Sequence, residues 1–173
     1  MSLKDRCQQI KLILTDVDGV LTDGGVILDN QGVESKRFSI RDGQGIRLWQ
    51  QAGGQVGIVT GRSSQIVKLR AAELDIDILR QGVKDKLPMV EGIVAEQELT
   101  LEQVAYVGDD LPDLPVIKRV GLGVAVADAA EECRKGAAYV TSVGGGRGAL
   151  RELIEVILKN TDRWEGAIKQ FTR

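Results

Sequence analysis

Ile10-Lys11-Leu12-Ile13-Leu14-Thr15-Asp16-Val17-Asp18-Gly19-Val20 is a short apolar run that stops in two carboxylates and a glycine. Its length and composition suit a buried strand ending in a tight turn. Downstream, strands and helices alternate. Val56–Val59, Ile76–Leu79, Val104–Val107, Leu122–Val126 and Tyr139–Val140 read as strands. Residues 63–74, 84–98, 111–120, 129–135 and 149–159 between and after them read as helices. Pro88 falls in a first helical turn, where proline is tolerated. Thr100-Leu101-Glu102-Gln103 has the form of a capping box. This order implies βα units and an α/β, doubly wound, mostly parallel sheet. It fits one domain spanning residues 1–173. Two segments break the alternation. Residues 24–39 read as a β-hairpin around the turn Asp29-Asn30-Gln31-Gly32, followed by a short helix at 46–51. The tail at about 160–173 matches no pattern.

Composition narrows the chemistry. The chain has 173 residues, net charge −2 and no histidine. The lack of histidine excludes Ser-His-Asp and Cys-His catalysis and histidine-held metals. A hard cation must be held by oxygen. The charge balance points to no nucleic acid or anionic membrane partner. No apolar run reaches the roughly 18 residues of a membrane span. The first residues lack the apolar stretch of a signal peptide. Cys7 and Cys133 match no zinc or redox spacing and read as reduced thiols, so the expected location is cytoplasmic.

In a doubly wound sheet, ligands bind beyond the carboxyl ends of the strands. Those ends carry Asp16 and Asp18, then Thr60-Gly61-Arg62, then Lys86, then Gly108-Asp109-Asp110-Leu111-Pro112-Asp113. Each element alone is ordinary: a DxD pair, a strand-to-helix turn, a solvated lysine. Their joint, ordered occurrence suits phosphoryl transfer. Asp16 can attack phosphorus as a covalent nucleophile. Asp18 can protonate the leaving oxygen and then activate water. In a continuing strand the two would face the same side. Asp16, Asp18 and Asp109 together carry about −3, and two like charges about 4 Å apart repel by roughly 4 kcal/mol at an effective dielectric of 20. A phosphate dianion therefore needs a cation, and Mg2+ with oxygen ligands fits as template and charge clamp. Lys86 would neutralise nucleophile and phosphate, and the Thr60 hydroxyl and Gly61 amide would hold phosphate oxygens.

Arg41 and Asp42 either form a turn before a helix or help position substrate or the catalytic loop. Gly144-Gly145-Gly146-Arg147-Gly148 is either a flexible entry to the last helix or a means for Arg147 to reach a neighbouring site and a sugar-acid carboxylate. Arg62 could make such a contact within its own chain.

DVDGV (16–20), VTGR (59–62), Lys86 in GVKDK and GDDLPDLP (108–115) resemble the four motifs of the haloacid dehalogenase superfamily, in order. That resemblance implies Asp16 as nucleophile and Asp18 as acid/base. It implies Mg2+ on the Asp16 side chain, the Asp18 carbonyl and Asp109, and phosphate-binding roles for Thr60 and Lys86. Asp113 matches the second acidic position of the last motif. LTDGG, FSIRDGQGIR, AYVGDDLPDLPV, GLGVAVADA and GGRGALRE are similar to 3-deoxy-D-manno-octulosonate (Kdo) 8-phosphate phosphatases over about residues 10–155. The resemblance implies a capless, homotetrameric enzyme of lipopolysaccharide biosynthesis acting on a sugar-acid phosphate. Nonulosonate 9-phosphate phosphatases look alike but often carry glutamate where Arg62 stands. Leu114-Pro115 departs from the family's bulkier aromatic. The gaps from Asp18 to Thr60 and from Thr60 to Lys86 leave no room for a cap domain, so a partner copy is expected to cover the site. A missing cap also argues against a phosphomutase. The acid at Asp18 argues against a signalling receiver, because it would hasten loss of the phosphoryl group.

Overall fold

The computed structural model describes residues 1–172. Helix α1 (Leu3–Gln9) leads into strand β1 (Leu12–Thr15), and the hairpin strands β2 (Ile27–Leu28) and β3 (Glu34–Ser35) follow. Then come α2 (Ile40–Gln51), β4 (Gln55–Val59), α3 (Gln65–Glu73), β5 (Ile78–Arg80) and α4 (Lys86–Glu96). The second half contains β6 (Val104–Gly108), α5 (Leu114–Ile117), β7 (Leu122–Ala125), α6 (Glu131–Gly136), β8 (Tyr139–Val140), α7 (Ala149–Asn160) and α8 (Trp164–Ile168).

The main sheet has the order β5-β4-β1-β6-β7-β8, and every described pairing in it is parallel. Its central strands are apolar on both faces: every residue of β1 and β6 is buried. That is the pattern of a sheet covered by helices on both sides. The chain runs outward from β1 through β4 to β5, then returns to the other side of β1 with β6. The direction of winding therefore changes at β1, the point where such sheets bind ligands. No helix among the described residues is long and apolar enough to cross a membrane. Cys7 and Cys133 are buried free thiols.

Several boundaries differ from the sequence reading. Helix α1 was not expected, although Ser2 and Asp5 form the capping box that starts it. Helix α2 begins at Ile40 rather than at 46, with the Ser39 side chain capping Asp42 N–H. Gly43 and Gly45 fall inside this helix. They lie at packing contacts, where a Cβ on Gly45 would come within 3.1 Å of Arg151 Cα on α7. The expected helix 111–120 is a 3-10 turn, Leu111–Asp113, followed by the short α5. The tail folds back as α8 and a 3-10 turn at Lys169–Phe171, with Arg163 stacked 4.9 Å above the Trp49 ring. Arg173 of the expected tail lies outside the described residues.

Asp42 is a structural element of this packing. It is buried, and its Oδ1 accepts from Arg151 N–H at 2.9 Å at the start of α7, with the N–H groups of Gly148 and Leu150 also drawing on its charge. Helix α7 has Gly148 as its own N-cap and no side-chain cap of its own, so a side chain from α2 takes up one of its free N–H groups, that of Arg151. One oxygen, Oδ2, has no protein partner. Burial pushes the Asp42 carboxyl up to about 6 against the pull of those N–H groups. A folded pKa above the unfolded value means that the native state binds more protons, so this contribution falls as pH rises from about 4 to 6. Asp42→Asn should flatten that slope in a comparison of denaturation midpoints with the wild type across pH 4–7. Asp42→Ala should cost about 1–3 kcal/mol at pH 7.

Candidate active site

Three neighbouring strands end at one place. Asp16 follows β1, Thr60 follows β4, and Asp109 follows β6. Asp16 N–H still donates to Val107 O at 3.0 Å, so the nucleophile candidate is fixed by the sheet ladder itself. The chain then leaves the strand. The N–H groups of Val20, Leu21 and Thr22 all donate to Val17 O, which makes a compact turn. Asp18 therefore sits on a turn and not on the continuing strand expected from the spacing. Asp16 and Asp18 nevertheless line the same cleft.

That cleft has a volume of about 520 Å3. Thr60, Gly61, Arg62, Lys84, Lys86, Asp109, Asp110 and Asp113 also line it. The backbone of Thr60 is pinned on both sides: its N–H donates to Arg80 O and its carbonyl accepts from Val83 N–H. Lys86 opens α4 and is buried, donating to Asp16 Oδ2 at 2.7 Å and Asp113 Oδ1 at 2.6 Å. Burial alone would push its ammonium pKa down, but the facing Asp16 and Asp113 carboxylates turn the net shift upward.

Asp113 organises the far wall. Its Oδ2 accepts from the N–H groups of Asp109 and Asp110, and its Oδ1 accepts from Lys86 and from the Tyr106 hydroxyl at 2.5 Å. Burial, then the Asp113 charge, holds the Tyr106 phenol protonated. Asp16, Asp109 and Asp113 each place a carboxylate oxygen within 4.8 Å of the others. Burial, then the charge on Asp113, raises Asp16 to about 6 and Asp109 to about 7. Three carboxylates face one ammonium, an excess of negative charge that a divalent cation with oxygen ligands would balance. Asp113 is committed to its four donors, and the resemblance implies Asp16 and Asp109 as the side-chain ligands.

Two glycines let the backbones approach. Gly19 has φ +92°, and a Cβ there would lie 2.0 Å from Asp109 Oδ2. Gly19→Ala should displace that carboxylate and lower kcat by about 100-fold, since small misplacements cost that much. Steady-state kinetics with titrated Mg2+ checks this, and a variant with normal activity would show that Asp109 tolerates the shift. The glycine run is not a loose helix entry. Gly146 N–H donates to Val20 O at 2.8 Å, and a Cβ on Gly145 would lie 1.9 Å from Gly19 O, so residues 144–146 clasp the catalytic turn.

Not every expected residue reaches the cleft. Asp42 is turned to α7, as described. Arg41 is exposed in the first turn of α2 and does not line the cleft. Arg147 is exposed and lines a separate depression with Asp23, Gly25, Asp128 and Gly145. Conversely, Tyr106, Glu34 and Lys36 were missed. A polar aromatic within the aliphatic stretch Val104-Ala105-Tyr106-Val107 was a usable signal for the first. The Glu34–Lys36 pair lies two apart on the hairpin, but nothing in the sequence shows that the hairpin folds over the site.

This fold and this cluster define the class of haloacid dehalogenase-like hydrolases, whose sequence pattern matches residues 71–148. Within it, the chain is 47% identical over 162 residues to the Kdo 8-phosphate phosphatase KdsC of Yersinia pestis, covering 94% of this chain and 87% of that one. It is 45% identical to the same enzyme of Escherichia coli K12, covering 88% and 81%. The crystal structure of the Moraxella catarrhalis Kdo 8-phosphate phosphatase in complex with magnesium, phosphate and Kdo superposes with a TM-score of 0.96 at 40% identity, covering 98% of this chain and 97% of that one. The chain belongs to the 3-deoxy-D-manno-octulosonate 8-phosphate phosphatase family.

Proposed function

We propose that the protein hydrolyses Kdo 8-phosphate to Kdo and phosphate. The observation that carries this is the Asp16-Lys86-Asp113 chain set beside Asp109 in an open cleft, in a chain that shares its fold with a relative crystallised with magnesium, phosphate and Kdo. Asp16 attacks phosphorus and becomes the aspartyl-phosphate. Asp18 gives its proton to the departing sugar oxygen and then takes one from the water that cleaves the acyl phosphate. Lys86 holds Asp16 in place and offsets charge on the transferring phosphoryl group, and Thr60 and Gly61 receive its oxygens. Mg2+, held by Asp16, Asp109 and the Asp18 carbonyl, supplies charge neutralisation and alignment.

Arg62 favours an eight-carbon sugar acid over a nonulosonate 9-phosphate, because the similar nonulosonate enzymes often carry glutamate at this position, and its half-exposed guanidinium lines the cleft. The hairpin exposes Val26, Ile27, Leu28 and Val33, each more than half accessible. Two-stranded hairpins are marginal alone, and an exposed apolar patch marks an interaction site. Pairing of these hairpins between copies supports the homotetramer that the resemblance implies, with Arg147 directed at a neighbouring site. A monomeric mass by light scattering would refute the assembly. The function is tested by phosphate release from Kdo 8-phosphate beside a nonulosonate 9-phosphate, with Mg2+ and with chelator. Fast, metal-dependent turnover of the former is expected. Preference for the latter would reassign the substrate, and turnover of neither would refute the reading.

A further inference from the structure

Asp18 lies on a turn, and its carboxylate is gripped from outside that turn. Lys36, just beyond β3 on the hairpin, donates from Nζ to Asp18 Oδ1. The same ammonium lies 3.1 Å from Glu34 Oε1. Glu34 accepts in addition from Arg62 Nη2 at 2.9 Å and from Ser64 Oγ at 2.8 Å. The loop closes where Arg62 Nε comes within 3.9 Å of Asp18 Oδ2. Two cations and two carboxyl groups thus form a ring joining the hairpin, the catalytic turn and the loop after β4. The Ser64 hydroxyl is the first cause holding the Glu34 carboxyl below its usual range, with Lys36 and Arg62 adding to it.

Burial singles out Lys36. Its side chain is 2% exposed, on a hairpin whose apolar residues face solvent. Lysine is among the residue types least often buried, and ordering its side chain costs up to about 2 kcal/mol of conformational entropy. Glu34 and Lys36 are two apart in extended chain and so project to one side, and that side meets Asp18, Arg62 and Ser64. The hairpin therefore turns Glu34 and Lys36 inward while Val26, Ile27, Leu28 and Val33 stay exposed.

We propose that Lys36 is a positioning residue for Asp18. By occupying Oδ1 through a charge-assisted hydrogen bond, it fixes the carboxyl rotamer and directs Oδ2 to the cleft, while Glu34 keeps Lys36 and Arg62 in register. This rests on the acid/base reading of Asp18. In the step it serves, the bond from Asp16 oxygen to phosphorus forms and the ester P–O bond breaks. The proton on Asp18 passes to the leaving oxygen, and Lys36 gives up none.

The test compares kcat/KM, which reports the steps through phosphoryl transfer, for two esters lacking a carboxylate. Ribose 5-phosphate has an alkyl leaving group that needs a proton. p-Nitrophenyl phosphate has a leaving group that departs without one. Lys36→Met should lower kcat/KM for ribose 5-phosphate by about 30-fold or more and for p-nitrophenyl phosphate by less than about 3-fold, following the size of general-acid and misplacement effects. Lys36→Arg should restore most of the loss, and the denaturation midpoint should hold. Equal losses on both esters, or none, would overturn the proposal. So would a loss seen with Kdo 8-phosphate but not with ribose 5-phosphate, which would make Lys36 a ligand of the sugar acid. Asp18→Asn separates the two readings. If it shows the leaving-group-selective loss and Lys36→Met does not, positioning alone fails. If Asp18→Asn is fully active, the acid/base reading fails with it.

Discussion

Asp16→Asn is expected to abolish turnover, with kcat falling by about 10,000-fold or more, while the fold survives. The magnitude is that of removing a covalent nucleophile. The survival has a local cause. Asp16 is buried beside Asp113, and its carboxyl is raised to about 6 by burial first and by Asp113 second. An amide loses one charge-assisted bond to Lys86, but it also removes a like charge from the pair. Lys86 keeps its 2.6 Å contact with Asp113. The two effects oppose, so the metal-free Tm should move by only a few degrees. The Mg2+-induced rise in Tm should shrink sharply, because a ligand stabilises only through its affinity for the native state. Phosphate release and thermal denaturation with and without Mg2+ measure all three. A variant that still turns over would place the nucleophile elsewhere.

Lys86→Met should damage both activity and stability, which distinguishes it from Asp16→Asn. Methionine matches the length of the lysine stem but leaves Asp16 and Asp113 facing each other in a buried site. Removing one partner of a buried ion pair costs about 3–5 kcal/mol, and Asp109 adds a third carboxylate to the same space. The loss should be largest at pH 7–8 and smaller near pH 5.5. Asp16 and Asp109 already have raised pKa values, about 6 and 7, and without the ammonium they rise further and take up protons as the pH falls. Adding Asp113→Asn to Lys86→Met should recover part of the stability and none of the activity. Denaturant midpoints at the two pH values decide the matter. A pH-independent loss would show that Lys86 matters for packing rather than charge.

Both expectations concern residues that the sequence itself exposes. Asp16, Thr60 and Asp109 were legible because each follows an apolar run, and in a parallel sheet all such runs end on one edge; Lys86 was legible at the opening of the helix after the next strand. The alternation of β and α patterns is local information: period and length decide it. Where local cues were ambiguous, the reading slipped. Gly43 and Gly45 inside α2 have the composition of a turn, and only contacts with other elements make them helical. Residues 111–117 look like one helix, but Asp113 is pulled inward by four donors that sequence cannot show converging.

What the sequence determined by itself is therefore the sheet, the order of its motifs and the oxygen-only chemistry that follows from lacking histidine. Tertiary structure decided everything that depends on distance between segments remote in the chain. Asp42 went to the start of α7, since the N–H group it accepts from belongs to Arg151. The glycine run went to clasp the turn at 19–23. Lys36 went to Asp18, because successive side chains of a strand point to opposite sides and only the folded chain says which side meets the active site. Periodicity is written in neighbours along the chain. Convergence is written in packing, where burial and unpaired charge select the partner.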